Sequence, residues 1–137
     1  MPIPRKLFLS HASADRPFVN KLATFLTVRK IPFWYSKRHL VGAQQWHDEI
    51  GKALQSCDWF LVVISPAAVR SKWVKRELMY ALNEDRYENR IIPLLYKPCD
   101  AEALSWTLAS LQRVDFSKGF DKSCDELVKI WGIDQRT

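Results

Sequence analysis

Short apolar runs alternate with amphipathic stretches along the whole chain. Leu7, Phe8 and Leu9 predict a first strand. Asp15 then offers a helix N-cap, and Pro17 fits a first helical turn, where its missing N–H costs nothing. Phe18, Leu22, Phe25 and Leu26 follow at helical spacing. Residues 31–35 predict a second strand and residues 36–43 a polar loop carrying Gly42. Trp46, Ile50, Ala53 and Leu54 line one face of the next helix. Residues 58–65 hold an unbroken apolar run stopped by Pro66, the pattern of a central strand buried on both faces. A helix is expected over 71–83 and a fourth strand over 90–96, with Pro93 near a bulge or strand end because it cannot donate to a ladder. Residues 101–111 predict a helix, 114–116 a short edge strand and 121–131 a closing helix.

Five strands alternating with five helices require crossover connections, and so a parallel sheet with helices on both faces. The expected fold is α/β, a single flavodoxin-like domain with strand order 2-1-3-4-5. In that topology ligands gather beyond the carboxyl ends of strands 1 and 3, here residues 10–13 and 65–66. The loop after strand 2 should border the same edge.

The length of 137 residues, with 47% hydrophobic and 26% charged, fits one domain spanning 1–137 with a core over about 6–131. It excludes a disordered or low-complexity chain. No apolar run approaches the roughly 20 residues that cross a bilayer, and the apolar stretch behind Met1 is too short for a signal peptide. The net charge of +6 is compatible with phosphate-bearing partners without selecting one. Cys57, Cys99 and Cys124 form no CxxC pair, so a cytoplasmic location with free thiols is expected.

Several chemistries are missing. The four glycines, at 42, 51, 119 and 132, make neither GxGxxG nor a P-loop. A phospho-acceptor receiver would need an acidic pair after strand 1 and an Asp ending strand 3; Ser10, His11 and Ser65 stand there instead. No GxSxG elbow occurs, and His11, His39 and His47 lack metal-ligand spacing, so neither metal nor cofactor is expected. No nucleic-acid reader module is evident, and no nucleic-acid partner is expected.

One carboxylate stands out. Val74, Leu78, Ala81 and Leu82 form a core stripe, and Trp73, Glu77 and Tyr80 fall on the neighbouring one. Glu77 is thus expected at the margin of the core, where apolar surroundings make a carboxylate seek a cationic partner. The competing reading is a solvated helix-face Glu in contact with Lys72 or Arg76. The basic residues Lys37, Arg38, Arg70, Lys72, Lys75 and Arg76 are open to two readings, attraction of a pyrophosphate or acidic partner, or an ordinary solvated surface.

The stretch Leu7-Phe8-Leu9-Ser10-His11-Ala12-Ser13-Ala14-Asp15 resembles the first box of the Toll/interleukin-1 receptor (TIR) domain family. Ile31-Pro32-Phe33-Trp34-Tyr35-Ser36, followed by Val41 and Gly42, is similar to its second strand and BB loop. Cys57 through Pro66 resembles its third strand, and Trp73-x-x-x-Glu77 resembles the WxxxE pattern of its bacterial NAD-cleaving branch.

The resemblance implies a NAD+ glycohydrolase or cyclase of antiphage defence or immune signalling, with NAD+ as substrate rather than cofactor. It implies Glu77 as catalytic residue and Ser10, His11, Ala12, Trp34 and Trp73 around the substrate. Trp34 would stack on nicotinamide, and Trp73 would orient Glu77. Plain packing competes for both tryptophans. Lys37, Arg38, His39, Leu40, Val41 and Gly42 would form the loop through which TIR domains self-associate. Ser36 replaces the Asp of many bacterial relatives, and Ala12 replaces a basic residue. The alternatives are a non-catalytic TIR–TIR docking module and a nucleoside-processing enzyme with an essential Glu.

Overall fold

The computed structural model describes residues 3–35 and 43–133. Strands β1 (Leu7–Ser10), β2 (Phe33–Tyr35), β3 (Trp59–Ile64), β4 (Ile91–Leu95) and β5 (Val114–Asp115) form one sheet in the order β2-β1-β3-β4-β5. All four pairings are parallel, as the alternation predicts. The helices are α1 (Arg16–Val28), α2 (Ala43–Ser56), α3 (Pro66–Val69), α4 (Lys72–Leu82) and α5 (Phe120–Ile130). Every residue of β3 is buried, because β3 is central and covered on both faces.

The alternation of side chains sorts the core into two layers. Leu7, Leu9, Leu61 and Val63 pack with residues of α1 and α5. Phe8, Phe60, Val62 and Ile64 pack with residues of α2 and α4. Parallel register sets Phe8 beside both Trp34 and Phe60, and their rings meet at centroid separations of 5.1 and 5.3 Å.

Four local expectations are corrected. The second strand begins at Phe33, not at residue 31. The N–H of Ile31 instead bonds back to Leu26 (2.9 Å), and Lys30, at φ 60°, donates to Thr27. Helix α1 therefore closes in a Schellman turn that uses Ile31 as a cap. Pro93 lies inside β4, opposite Val62, rather than at its end. Arg90 and Tyr96 bond to β3, so alternation turns the Pro93 nitrogen away from β3. The β5 ladder starts only opposite Leu94, so the missing N–H interrupts nothing.

The stretch 101–111 is not one helix. It makes 3-10 turns over Ala101–Ala103 and Trp106–Ser110, divided by an extended Ser105 whose hydroxyl accepts from the Thr107 N–H. Asp15 precedes α1, but its side chain does not cap the helix. Its partner is Ser65, far along the chain.

Candidate active site

The carboxyl ends of β1 and β3 carry an unusual load for a protein interior. The buried polar or charged residues among those described are Ser10, His11, Asp15, Ser65, Glu77 and Ser123. All but Ser123 belong to this edge or to the helix facing it. Buried polar groups are tolerated only with hydrogen-bond partners, and here Ser10 pairs with Glu77, Ser65 with Asp15 and His11 with the half-buried Arg16.

Glu77 arrives on α4. Ser71 starts that helix by accepting the Val74 N–H (3.2 Å), a regular N-cap. The buried positions are Val74, Glu77, Leu78 and Ala81, so Glu77 belongs to the core-facing stripe itself. The expected place at the core margin, and the solvated alternative, both give way: Glu77 is 2% exposed. Lys72 and Arg76 are exposed instead, and the Arg76 guanidinium lies 4.9 Å over the half-buried Trp73 ring. Ser10, 1% exposed at the end of β1, donates its hydroxyl proton to Glu77 Oε1 at 2.7 Å. Helix α4 packs on β1 and β3, which brings together two residues 67 positions apart.

Chain alternation divides the other expected residues. Ala12 is buried in the α2/α4 layer, and Trp34 packs half-buried against the same layer. Trp34 also lines a groove of about 290 Å³ with Phe33, Tyr35 and Glu49. His11 takes a different set of neighbours. Its ring meets Tyr35 edge-on at 5.7 Å, and Arg16 Nε donates to His11 Nε2 at 2.8 Å. That donation makes Nε2 the acceptor and leaves Nδ1, 3.5 Å from the Leu9 carbonyl, to carry the ring proton. The same Arg16 stacks over Tyr35 at 5.0 Å. Ser36, Lys37, Arg38, His39, Leu40, Val41 and Gly42 lie outside the described residues.

Asp15 and Ser65 complete the edge. The Ser65 hydroxyl donates to Asp15 Oδ2 in a short bond, and Ser65 Oγ accepts the Ala68 N–H at 3.0 Å, capping α3. One carboxylate thus ties the β1–α1 loop to the segment that leads into α4. Burial pushes the nearby Cys99 thiol up, and the charges of Asp100 and Asp15 push the same way. Sequence reading missed this pair because an Asp before a helix looks like a cap. Arg16 was missed too, since a single Arg at a helix start carries no distinctive signal. Among the described residues, no group of three or more His, Cys, Asp or Glu side chains is placed to hold a metal ion.

The comparisons agree with this architecture. The sequence model of the TIR domain family matches residues 7–128. The chain is 30% identical over 128 residues to the NAD(+) hydrolase PdTIR of Paracoccus denitrificans, covering 91% of this chain and 42% of that protein. It is 28% identical over 112 residues to the 2' cyclic ADP-D-ribose synthase BtTIR of Bacteroides thetaiotaomicron, covering 78% of this chain and 39% of that one. The chain therefore spans about two fifths of the length of these curated relatives. Among solved structures, the TIR domain of the Toll-related receptor TRR-2 from Hydra magnipapillata superposes with a TM-score of 0.74 at 20% identity, covering 93% of this chain and 98% of that one. This last likeness concerns the fold. No helix among the described residues is long and apolar enough to cross a membrane.

Proposed function

We propose that this chain, which belongs to the TIR domain family, cleaves the nicotinamide–ribose bond of NAD+. The products would be nicotinamide and either ADP-ribose or a cyclic ADP-ribose. The observation that carries the reading is the buried carboxylate of Glu77, which accepts the Ser10 hydroxyl proton beyond the carboxyl ends of β1 and β3. The relatives named as a NAD(+) hydrolase and a cyclic ADP-ribose synthase support the same chemistry.

The bond that breaks explains why one carboxylate is enough. The pyridinium nitrogen of NAD+ is already cationic and leaves with the bonding electron pair as neutral nicotinamide. No general acid is required. The ribose is left with oxocarbenium character, as in other glycosyl transfers. A fixed negative charge in a low-dielectric site stabilises that developing cation far better than the same charge in water. Water attacking C1′ gives ADP-ribose, and an internal nucleophile of the same molecule gives a cyclic product; either attacker then loses its proton. In this reading Trp34 faces the nicotinamide and Trp73 holds the outer side of Glu77. His11 and Ala12 shape the pocket floor beside the Ser10–Glu77 pair, with Arg16 behind His11 supplying the positive charge that Ala12 lacks.

Glu77 must be uncovered before it meets ribose. We assign that step to self-association through residues 37–42, which makes turnover dependent on concentration. Gly42→Pro should then abolish turnover, and unchanged activity would argue against loop-mediated assembly. Depletion of NAD+, or a cyclic ADP-ribose signal, would serve antiphage defence or immune signalling in the cytoplasm.

The burial of Glu77 also favours one competitor, a non-catalytic module that docks on other TIR domains and keeps Glu77 as a core polar contact. Incubating the concentrated protein with NAD+, with and without a crowding agent, separates the two. Chromatography should show nicotinamide, and the second product distinguishes hydrolase from cyclase. No nicotinamide under any of these conditions would favour the docking module.

A further inference from the structure

We propose that Ser10 is a positioning residue that acts through Glu77, not a contact of the substrate. The inference rests on the catalytic reading of Glu77 given above. Its basis is the geometry of the pair. Ser10 is 1% exposed and sits at the last position of β1, paired with Val62 of the fully buried β3. Its backbone is therefore held against the fully buried central strand. Its hydroxyl proton is directed at Glu77 Oε1, at 2.7 Å, within the range of a charge-assisted hydrogen bond.

A hydroxyl has one proton to donate. Once committed to Glu77, it has none for a substrate phosphate or ribose oxygen. What it does supply is orientation. A glutamate has three side-chain torsions, and a carboxylate that stabilises a cation must be held in place before the charge develops. Val74, Leu78 and Ala81 share the core-facing stripe of α4 with Glu77 and can restrict its stem, but they offer no hydrogen bond to its carboxylate. The Ser10 bond fixes the carboxylate plane from the opposite side, on a different element.

The neighbouring Ser65 is a contrast on the same edge. It makes the analogous donation to Asp15 while accepting from the α3 backbone. Its two bonds cap α3 and tie that segment to the β1–α1 loop, whereas the Ser10 hydroxyl is joined to a helix side chain on the α2/α4 layer. Loss of Ser65 should act on stability, and loss of Ser10 on turnover.

The experiment is steady-state NAD+ cleavage by the wild type, Ser10→Ala, Ser10→Thr and Ser65→Ala. Thermal melting of each variant establishes that it is folded. Ser10→Ala should lower kcat by about 10-fold or more, the effect of one hydrogen bond to a charged group, and change KM by less than about twofold. Ser10→Thr, which keeps the hydroxyl, should recover most of the lost kcat. A raised KM with kcat unchanged would make Ser10 a substrate contact and overturn the inference. Equal turnover of Ser10→Ala and wild type would overturn it as well, as would a kcat that Ser10→Thr leaves at the Ser10→Ala level although the variant melts like the wild type. A wild type that releases no nicotinamide is a different result: it removes the catalytic reading of Glu77, and the inference falls with it.

Discussion

The two ends of the sheet are built from different materials. At the amino end, where β3 starts, Trp59 meets Trp131 edge-on with centroids 5.9 Å apart, both fully buried. Tyr87 closes the same end, giving its hydroxyl proton to the Leu54 carbonyl at 2.6 Å. The acidic residue there, Asp58, accepts from the backbone of Arg5 and Lys6 near the surface. At the carboxyl end, two carboxylates, two serines and a histidine are buried together. Burying large aromatic rings stabilises a fold, here even with the Trp59 and Trp131 indole N–H groups buried without a hydrogen-bond partner among the described residues, while burying charge costs free energy that pairing only partly offsets. The amino end is therefore built for stability, and the carboxyl end carries buried polar groups that cost stability, as the proposed chemistry would require.

The comparison can be broken by variants on either side. Trp131→Ala should have the largest effect on stability, about 3–5 kcal/mol, because it opens a large cavity against Trp59. Urea unfolding would measure it, and turnover per folded molecule should be unchanged. Asp15→Ala should cost about 1–3 kcal/mol, because it leaves the buried Ser65 hydroxyl without its acceptor. Turnover per folded molecule should be little changed, as for Ser65→Ala, because both variants remove the same structural tie. Tyr87→Phe should cost only about 1 kcal/mol, one neutral hydrogen bond, and leave catalysis alone. A catalytic defect in Trp131→Ala or Tyr87→Phe, once corrected for folded fraction, would erase the distinction between the ends.

The amino end also gives a pH effect. Burial pushes the Cys57 thiol, at the amino end, from 9.0 up to about 11. Above pH 9 the unfolded chain loses this proton and the folded chain keeps it, so stability is complete below about pH 9 and declines as pH rises towards 11. Cys124, pushed to about 12 by burial, acts in the same direction. The urea midpoint should fall between pH 9 and 11, and Cys57→Ala should flatten that slope.

The sequence makes the layers and strand order legible because unbroken apolar runs and helical stripes report which surfaces are buried. The unbroken apolar run of residues 58–65 reads as a central strand, and the strand found there spans Trp59–Ile64. Ile31 and Pro93 were harder, since their places depend on which neighbour each backbone group faces, and that is set by the assembled sheet. The same limit applies at the site. WxxxE marks Glu77, but helical spacing alone put it beside the core when it lies within it. The Ser10–Glu77 and Asp15–Ser65 pairs join residues 67 and 50 positions apart, so no local pattern could announce them.

The proposed role of Glu77, one of the two buried carboxylates at the carboxyl end, is to carry NAD+ cleavage. It is tested most directly by comparing nicotinamide release from the concentrated wild type and Glu77→Gln. The amide keeps an acceptor for the Ser10 hydroxyl, so Glu77→Gln should melt close to the wild type. Its turnover should fall by at least about 10²–10³-fold, the scale of losing a preorganised electrostatic group. A folded Glu77→Gln that releases nicotinamide at the wild-type rate would contradict the account.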